Sequence, residues 1–143
     1  MKRTFTLDDA IQVARRAHEG QLDKSGRPYI GHPLRVMGAL RDEHERMTAV
    51  LHDVVEDTTV TLDDLIAAGC PKPVLEALAA VSKRQGEDQE TYLARVAENP
   101  IALAVKRADI ADNMSPDRLS RLDKETQERL LAKYTSALRQ LGA

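Results

Sequence analysis

At 143 residues the chain suits one compact domain and is too short for two ordinary ones. Its 42% hydrophobic and 31% charged residues, with a net charge of only −2, argue against a disordered or polyanion-binding protein, and nothing in the bulk charge requires nucleic acid as a partner. The single cysteine, Cys70, cannot form an internal disulfide, no apolar run approaches the roughly 18 residues of a membrane helix, and MKRTFTLDDA lacks the apolar stretch of a signal peptide, so the expected setting is the reducing cytoplasm, without a membrane.

One Phe and no Trp, set against abundant Ala, Leu, Val and Arg, favour helices packed through aliphatic ridges over a sheet. In TLDDAIQVARRAHEG, Thr6 stands three residues before Asp9 in a variant of the capping box, and Ala10, Ile11, Ala14 and Ala17 follow at helical spacing until Gly20 ends the helix. QLDKSGRPYIGHP is rich in Gly, Pro and small polar residues and reads as an ordered loop that delivers His32 to a helix start. The second helix is expected from about Pro33 to Asp42, with Leu34, Met37 and Leu40 inward. A third is expected from about Glu45 to Asp57, with Val50, Leu51, Val54 and Val55 on its apolar side.

Thr61 can cap a short helix ending before Gly69, and Pro71 or Pro73 opens another through VLEALAAVSK. The polar break KRQGEDQ precedes TYLARVAEN; Pro100 then opens IALAVKRADIADNM, and a turn at Ser115 and Pro116 leads to a last amphipathic helix with Leu130, Leu131, Tyr134, Leu138 and Leu141. With no repeat or interdomain linker, the expectation is a single all-α bundle of eight or nine helices over residues 1–143.

His52 and Asp53 fall in the middle of the apolar helix AVLHDVVEDT, where aliphatic residues are the norm. Neighbouring helical residues diverge by about 100°, so one metal can bind both only over the groove between them, with further ligands from elsewhere. Imidazole with carboxylate suits Mn²⁺, Fe²⁺ or Zn²⁺. Glu56 and Asp57 follow four residues after His52 and Asp53, along the same two ridges, where a carboxylate can take a proton from an activated water or return one to a leaving oxygen. The bland reading of VVEDTT is a solvated last turn, which the helix dipole opposes. A His-Asp pair alone is weak evidence; GHP twenty residues earlier and Asp109, which interrupts the apolar face of AVKRADIADN, complete the order His, His-Asp, Asp.

The strings AHEGQLDKSGRPYIGHPLRV, LHDVVEDT and VKRADIADN together resemble the hydrolase domain of the Rel/Spo alarmone family, especially its small stand-alone hydrolases, along nearly the whole chain. The resemblance implies an all-α HD-superfamily fold and a manganese-dependent removal of pyrophosphate from the ribose 3′ position of guanosine tetra- and pentaphosphate. By position it implies His32, His52, Asp53 and Asp109 as metal ligands and Glu56 and Asp57 as residues that position or activate water. Lys24, Ser25 and Asn113 would face the nucleotide, Tyr29 would support the loop, and Lys83 would contact phosphate. The chain has no phosphate-cradling P-loop and lacks the length of the synthetase domain of long Rel proteins, so hydrolysis without synthesis is expected.

Three positions depart from the family's pattern. Asp23 replaces a basic residue that packs against the guanine base, Asp112 stands where histidine is common, and Pro116 stands where long Rel enzymes often carry threonine. Two alternatives therefore stand beside the alarmone reading: a phosphohydrolase of another nucleotide, such as an adenine 3′-diphosphate or a reduced nicotinamide dinucleotide phosphate, and a catalytically silent nucleotide-sensing module. Of the remaining residues, His18 is expected to pack or hydrogen-bond at the first helix end, His44 to sit exposed near a helix start, and Cys70 to be inert. The last helix's leucines are expected to be core or a self-association stripe.

Overall fold

A computed structural model describes residues 4–142; Met1 to Arg3 of the N-terminal segment lie outside it. The described residues form α1 (Leu7–Ala17), α2 (Gly31–Gly38), α3 (Glu43–Asp57), α4 (Leu62–Ala67), α5 (Lys72–Val81), α6 (Gln89–Glu98), α7 (Pro100–Asn113), α8 (Pro116–Leu119) and α9 (Lys124–Gln140). Their only β pairing is an isolated antiparallel bridge between Leu22 and Pro28, so the fold is all-α as expected.

Local chemistry sets most of the helix starts. Thr6 with Asp9, and Thr61 with Asp64, form complete capping boxes in which each side chain takes the other residue's backbone N–H. Pro100 opens α7 behind the Asn99 cap. Three boundaries differ from expectation. Asp42 does not end the second helix, which runs only from Gly31 to Gly38; its carboxylate accepts the Glu45 N–H at 3.1 Å and starts α3 instead. Asp88 accepts the Thr91 N–H at 2.7 Å, so α6 begins at Gln89 rather than Thr91. The Ser115–Pro116 turn is the start of a four-residue helix, α8.

Helix α3 packs against α1, α2, α5 and α7. Its Met47, Val50, Leu51 and Val54 meet Phe5, Ala10, Ala14, Leu65, Val74 and Leu78 in one core cluster. A second cluster joins Val81, Tyr92, Leu93, Val96 and Ile110 to Ala137 and Leu141 of the C-terminal segment. Each leucine fully buried in this way contributes about 1.5–3 kcal/mol. The last helix buries Leu130 but leaves Leu131 39% exposed. Because α3 is buried without a break from Met47 to Val54, His52 and Asp53 are mounted on a rigid, water-excluded element. No helix of the described residues is long and apolar enough to cross a membrane.

The loop between α1 and α2 is ordered by its own hydrogen bonds. Asp23 N–H donates to Arg27 O and Tyr29 N–H to Gln21 O, both at 2.8 Å, and Gly26 turns the chain at φ +83°, a conformation that disfavours a side chain. The Asp23 carboxylate completes the turn: Oδ1 accepts from the Ser25 and Arg27 N–H groups and from the Ser25 hydroxyl. These contacts hold Asp23 and Ser25 in place at the cleft beside α2.

Candidate metal centre

Four side chains from three helices converge at a cleft of about 390 Å³, with His32, Asp53 and Asp109 in its lining and His52 buried behind them. Asp109 of α7 presents Oδ1 to Nε2 of His32 (α2) at 2.7 Å and to Nε2 of His52 (α3) at 3.1 Å. Asp53 Oδ2 lies 3.2 Å from His52 Nε2 and 3.9 Å from His32 Nε2. All four residues are buried, and one ligand atom from each of His32, His52 and Asp109 lies within 4.8 Å of the other two.

The outer nitrogen of each ring is fixed by a separate acceptor. His52 Nδ1 donates to the Ala49 carbonyl one turn back at 2.5 Å, and His32 Nδ1 donates to Asp112 Oδ2 at 2.6 Å. With Nδ1–H so committed, Nε2 is the atom each imidazole offers inward. Arg118 Nη1 also lies 2.9 Å from His32 Nδ1, but both are then donors, and the Nη1 hydrogens go instead to Asn113 Oδ1 at 2.6 Å and Asp112 Oδ2 at 3.2 Å. Tyr29 donates its hydroxyl to Asp53 Oδ2 at 2.6 Å, so the loop tyrosine braces a carboxylate of the cleft lining.

The electrostatics are those of a cation site. Burial opposes charge on His52, yet Asp53 and Asp109 carry its pKa up to about 10. Burial likewise opposes the His32 imidazolium, while hydrogen bonds to Asp109 and Asp112 raise it. Burial opposes ionisation of Asp109, but His52, His32 and Lys106 hold it well below the usual carboxylate range. Two imidazole nitrogens and the Asp109 carboxylate bring ligand atoms together, each with its second atom already satisfied, and Asp53 Oδ2 lies beside them; this donor set suits a divalent cation.

Beyond these four residues, Glu56 lines the cleft, whereas Asp57 stands outside its wall on the side of His18 and Tyr29. Burial, then the charges of Asp53 and Asp57, push Glu56 above the ordinary carboxylate range; burial and Asp53 do the same to Asp57. Lys24, Ser25, Lys83 and Asn113 all reach the cleft, with the Lys83 ammonium 3.2 Å from Gln89 Oε1.

Sequence reasoning missed several cleft residues. Lys106, three residues before Asp109, lies 3.3 Å from its Oδ2 and above the Tyr92 ring. Lys133 and Tyr134 of α9 form part of the wall, Tyr134 also packing against the second core cluster with Leu138 as expected. Asp112 was a departure without a role, and Arg118 carried no signal. The i, i+3 spacing of Asp109 and Asp112 on one helix face was the available clue for Asp112. His18 is 2% exposed, hydrogen-bonds Gln21 through Nδ1 at 2.9 Å and packs on Tyr29, as expected; His44 is half-buried rather than exposed, because α3 begins ahead of it and its first turn packs on the body. Cys70 is buried, which raises its thiol to about 11.

A family model described as HD domain matches residues 10–114. The chain is 35% identical to the bifunctional (p)ppGpp synthase/hydrolase SpoT of Escherichia coli (strain K12), over 85% of this chain and 20% of that protein. It is also 35% identical to the guanosine-3′,5′-bis(diphosphate) 3′-pyrophosphohydrolase of Vibrio cholerae, over 85% of this chain and 20% of that protein. The chain thus spans about a fifth of the length of these curated relatives. Among solved structures it superposes on one described as a metazoan ortholog of SpoT that hydrolyzes ppGpp, with a TM-score of 0.79 at 22% identity, covering 99% of this chain and 88% of that one. At that identity the likeness is one of fold.

Proposed function

The chain belongs to the HD-domain family, and from that premise we propose that it is a cytoplasmic, metal-dependent phosphohydrolase that removes the 3′-pyrophosphate of guanosine tetra- and pentaphosphate, leaving GDP or GTP and pyrophosphate. The observation that carries this reading is the convergence of His32, His52, Asp53 and Asp109 at a cleft that lysines overlook. The names of the relatives support the choice of substrate.

In this reading His32, His52, Asp53 and Asp109 would hold Mn²⁺, which would supply Lewis acidity to the phosphoryl group and acidify water. Glu56, with its raised proton affinity, accepts the proton of the attacking water, and Asp57 supports its charge state from the next ridge. Water adds to the phosphorus next to the ribose, the bond from that phosphorus to the 3′ oxygen breaks, and the oxygen leaves with the proton that Glu56 returns. Lys24, Ser25, Lys83 and Asn113 orient the nucleotide, the lysines offsetting the charge of the departing pyrophosphate.

The test is incubation of the purified protein with Mn²⁺ and guanosine tetraphosphate, with products resolved by ion exchange. GDP and pyrophosphate in equal amounts are expected. Intact guanosine tetraphosphate beside turnover of an adenine 3′-diphosphate or reduced nicotinamide dinucleotide phosphate overturns the substrate assignment. No turnover of any of them, with nucleotide still bound, leaves a sensing module.

A further inference from the structure

Arg118 unites two of the positions where this chain departs from the pattern it resembles. Its guanidinium lies between Asp112, 3.2 Å from Nη1, and Asp23, 3.8 Å from Nη2, and it lines the cleft beside Asn113. Only Nη1 makes hydrogen bonds to the described residues, to Asn113 and Asp112. The Nε–Nη2 edge, which carries three N–H donors in the fixed fork that suits bidentate acceptors, has none.

The cations of the cleft differ in how far they are neutralised. Lys24, Lys83 and Lys133 are exposed and close enough that Lys133, after burial, is held below its usual range by the cations Lys106, Lys24 and Lys83. That unbalanced positive charge suits a pyrophosphate. Arg118 is different, because Asp112 and Asp23 neutralise it while leaving its donors directional. A neutralised guanidinium is a poor partner for a polyanion and a good one for an uncharged base edge.

We infer that Arg118 is the base-selecting residue of this cleft, its Nε–Nη2 edge donating to the adjacent O6 and N7 acceptors of a guanine. Adenine offers N7 beside an amino donor, which would face a second donor. Asp23 acts as a positioning residue: it fixes the loop through Oδ1 and faces Arg118 with Oδ2. The inference rests on the nucleotide reading above and names its base.

The experiment is calorimetric binding of GDP, 7-deaza-GDP and ADP to the Mn²⁺-loaded protein and to Arg118→Met, whose side chain carries no donor, with turnover of guanosine tetraphosphate by the unaltered protein recorded beside it. Loss of a bidentate base contact corresponds to about ten- to a hundredfold in affinity. The unaltered protein should favour GDP over ADP by that order, with 7-deaza-GDP, which keeps O6 alone, between them, and Arg118→Met should weaken GDP most and leave all three alike. Equal weakening of GDP and ADP in the variant makes Arg118 a phosphate contact and overturns the inference. So does GDP binding no tighter than 7-deaza-GDP, a comparison on the unaltered protein that needs no variant to fold. GDP preference without turnover of guanosine tetraphosphate refutes the proposed reaction and leaves the base assignment standing.

Discussion

Asp112 Oδ2 lies 2.6 Å from Nδ1 of His32, whose Nε2 is in turn 2.7 Å from Asp109 Oδ1. The carboxylate therefore acts on the candidate metal centre through the ring. It is a strong partner: although burial opposes its ionisation, His32 and Arg35 hold its pKa at about 2, so it stays charged at any working pH. Removing such an outer partner of a metal-binding histidine usually lowers metal affinity about 10–100-fold. Asp112→Asn should weaken Mn²⁺ binding by that order in a calorimetric titration while leaving activity measurable at saturating metal. An unchanged dissociation constant would show that Asp112 serves only its ion pairs with Arg35 and Arg118.

Cys70 gives a test independent of any ligand. The side chain is 6% exposed and burial raises its thiol to about 11, so at pH 8 only about one molecule in a thousand carries the reactive thiolate. The native protein should resist iodoacetamide at pH 8 over the time in which free cysteine is consumed, and react stoichiometrically once unfolded in guanidinium. Fast native labelling would mean that the segment between α4 and α5 opens on its own.

The residues that were legible in the sequence are those whose cause is local. Thr6 with Asp9, Thr61, and Pro100 specify helix starts through local chemistry, and the structure places the helices there, adding Asp64 as the partner of Thr61. Asp42 and Asp88 carried the same kind of signal, each three residues ahead of the N–H it accepts, but apolar periodicity drew the boundaries elsewhere. His52 and Asp53 were conspicuous because their helix is otherwise apolar. Arg118, Lys133 and Tyr134 were not, since nothing within a turn of any of them records that α8 and α9 lie along the cleft. Long-range placement of short polar helices is a tertiary property.

The Glu87–Arg95 ion pair ties the turn before α6 to that helix, and Arg95 also donates to the Ser82 and Ala80 carbonyls. The Arg95 guanidinium and the Arg84 N–H hold Glu87 at about 2 in the folded state, against an ordinary 4.5. A depressed carboxylate stabilises the fold above its unfolded value and loses that contribution as pH falls through the folded one. The contribution should therefore be complete above about pH 5 and fade between about pH 4.5 and 2. Thermal melts of Glu87→Gln should run below those of the unaltered protein at pH 7, and the gap should close toward pH 2. A gap independent of pH would assign the loss to packing rather than to charge.

Asp53 and Glu56 sit three residues apart on α3, yet their surroundings differ. Asp53 is buried against the two Nε2 atoms and takes the Tyr29 hydroxyl, while Glu56 reaches the cleft with its proton affinity raised and is not among the four residues that converge. Asp53→Ala should lose Mn²⁺ and turnover together, because removing one of four converging donors leaves two buried rings without one of their counter-charges. Glu56→Gln should keep its metal, measured by elemental analysis after gel filtration, and lose about 10²–10⁴ in kcat with little change in KM, as expected when a proton acceptor is replaced by an isosteric amide. Metal retained by Asp53→Ala would remove that residue from the ligand set. Full kcat in Glu56→Gln would move the proton transfer to Asp57, which the same assay on Asp57→Asn would then report.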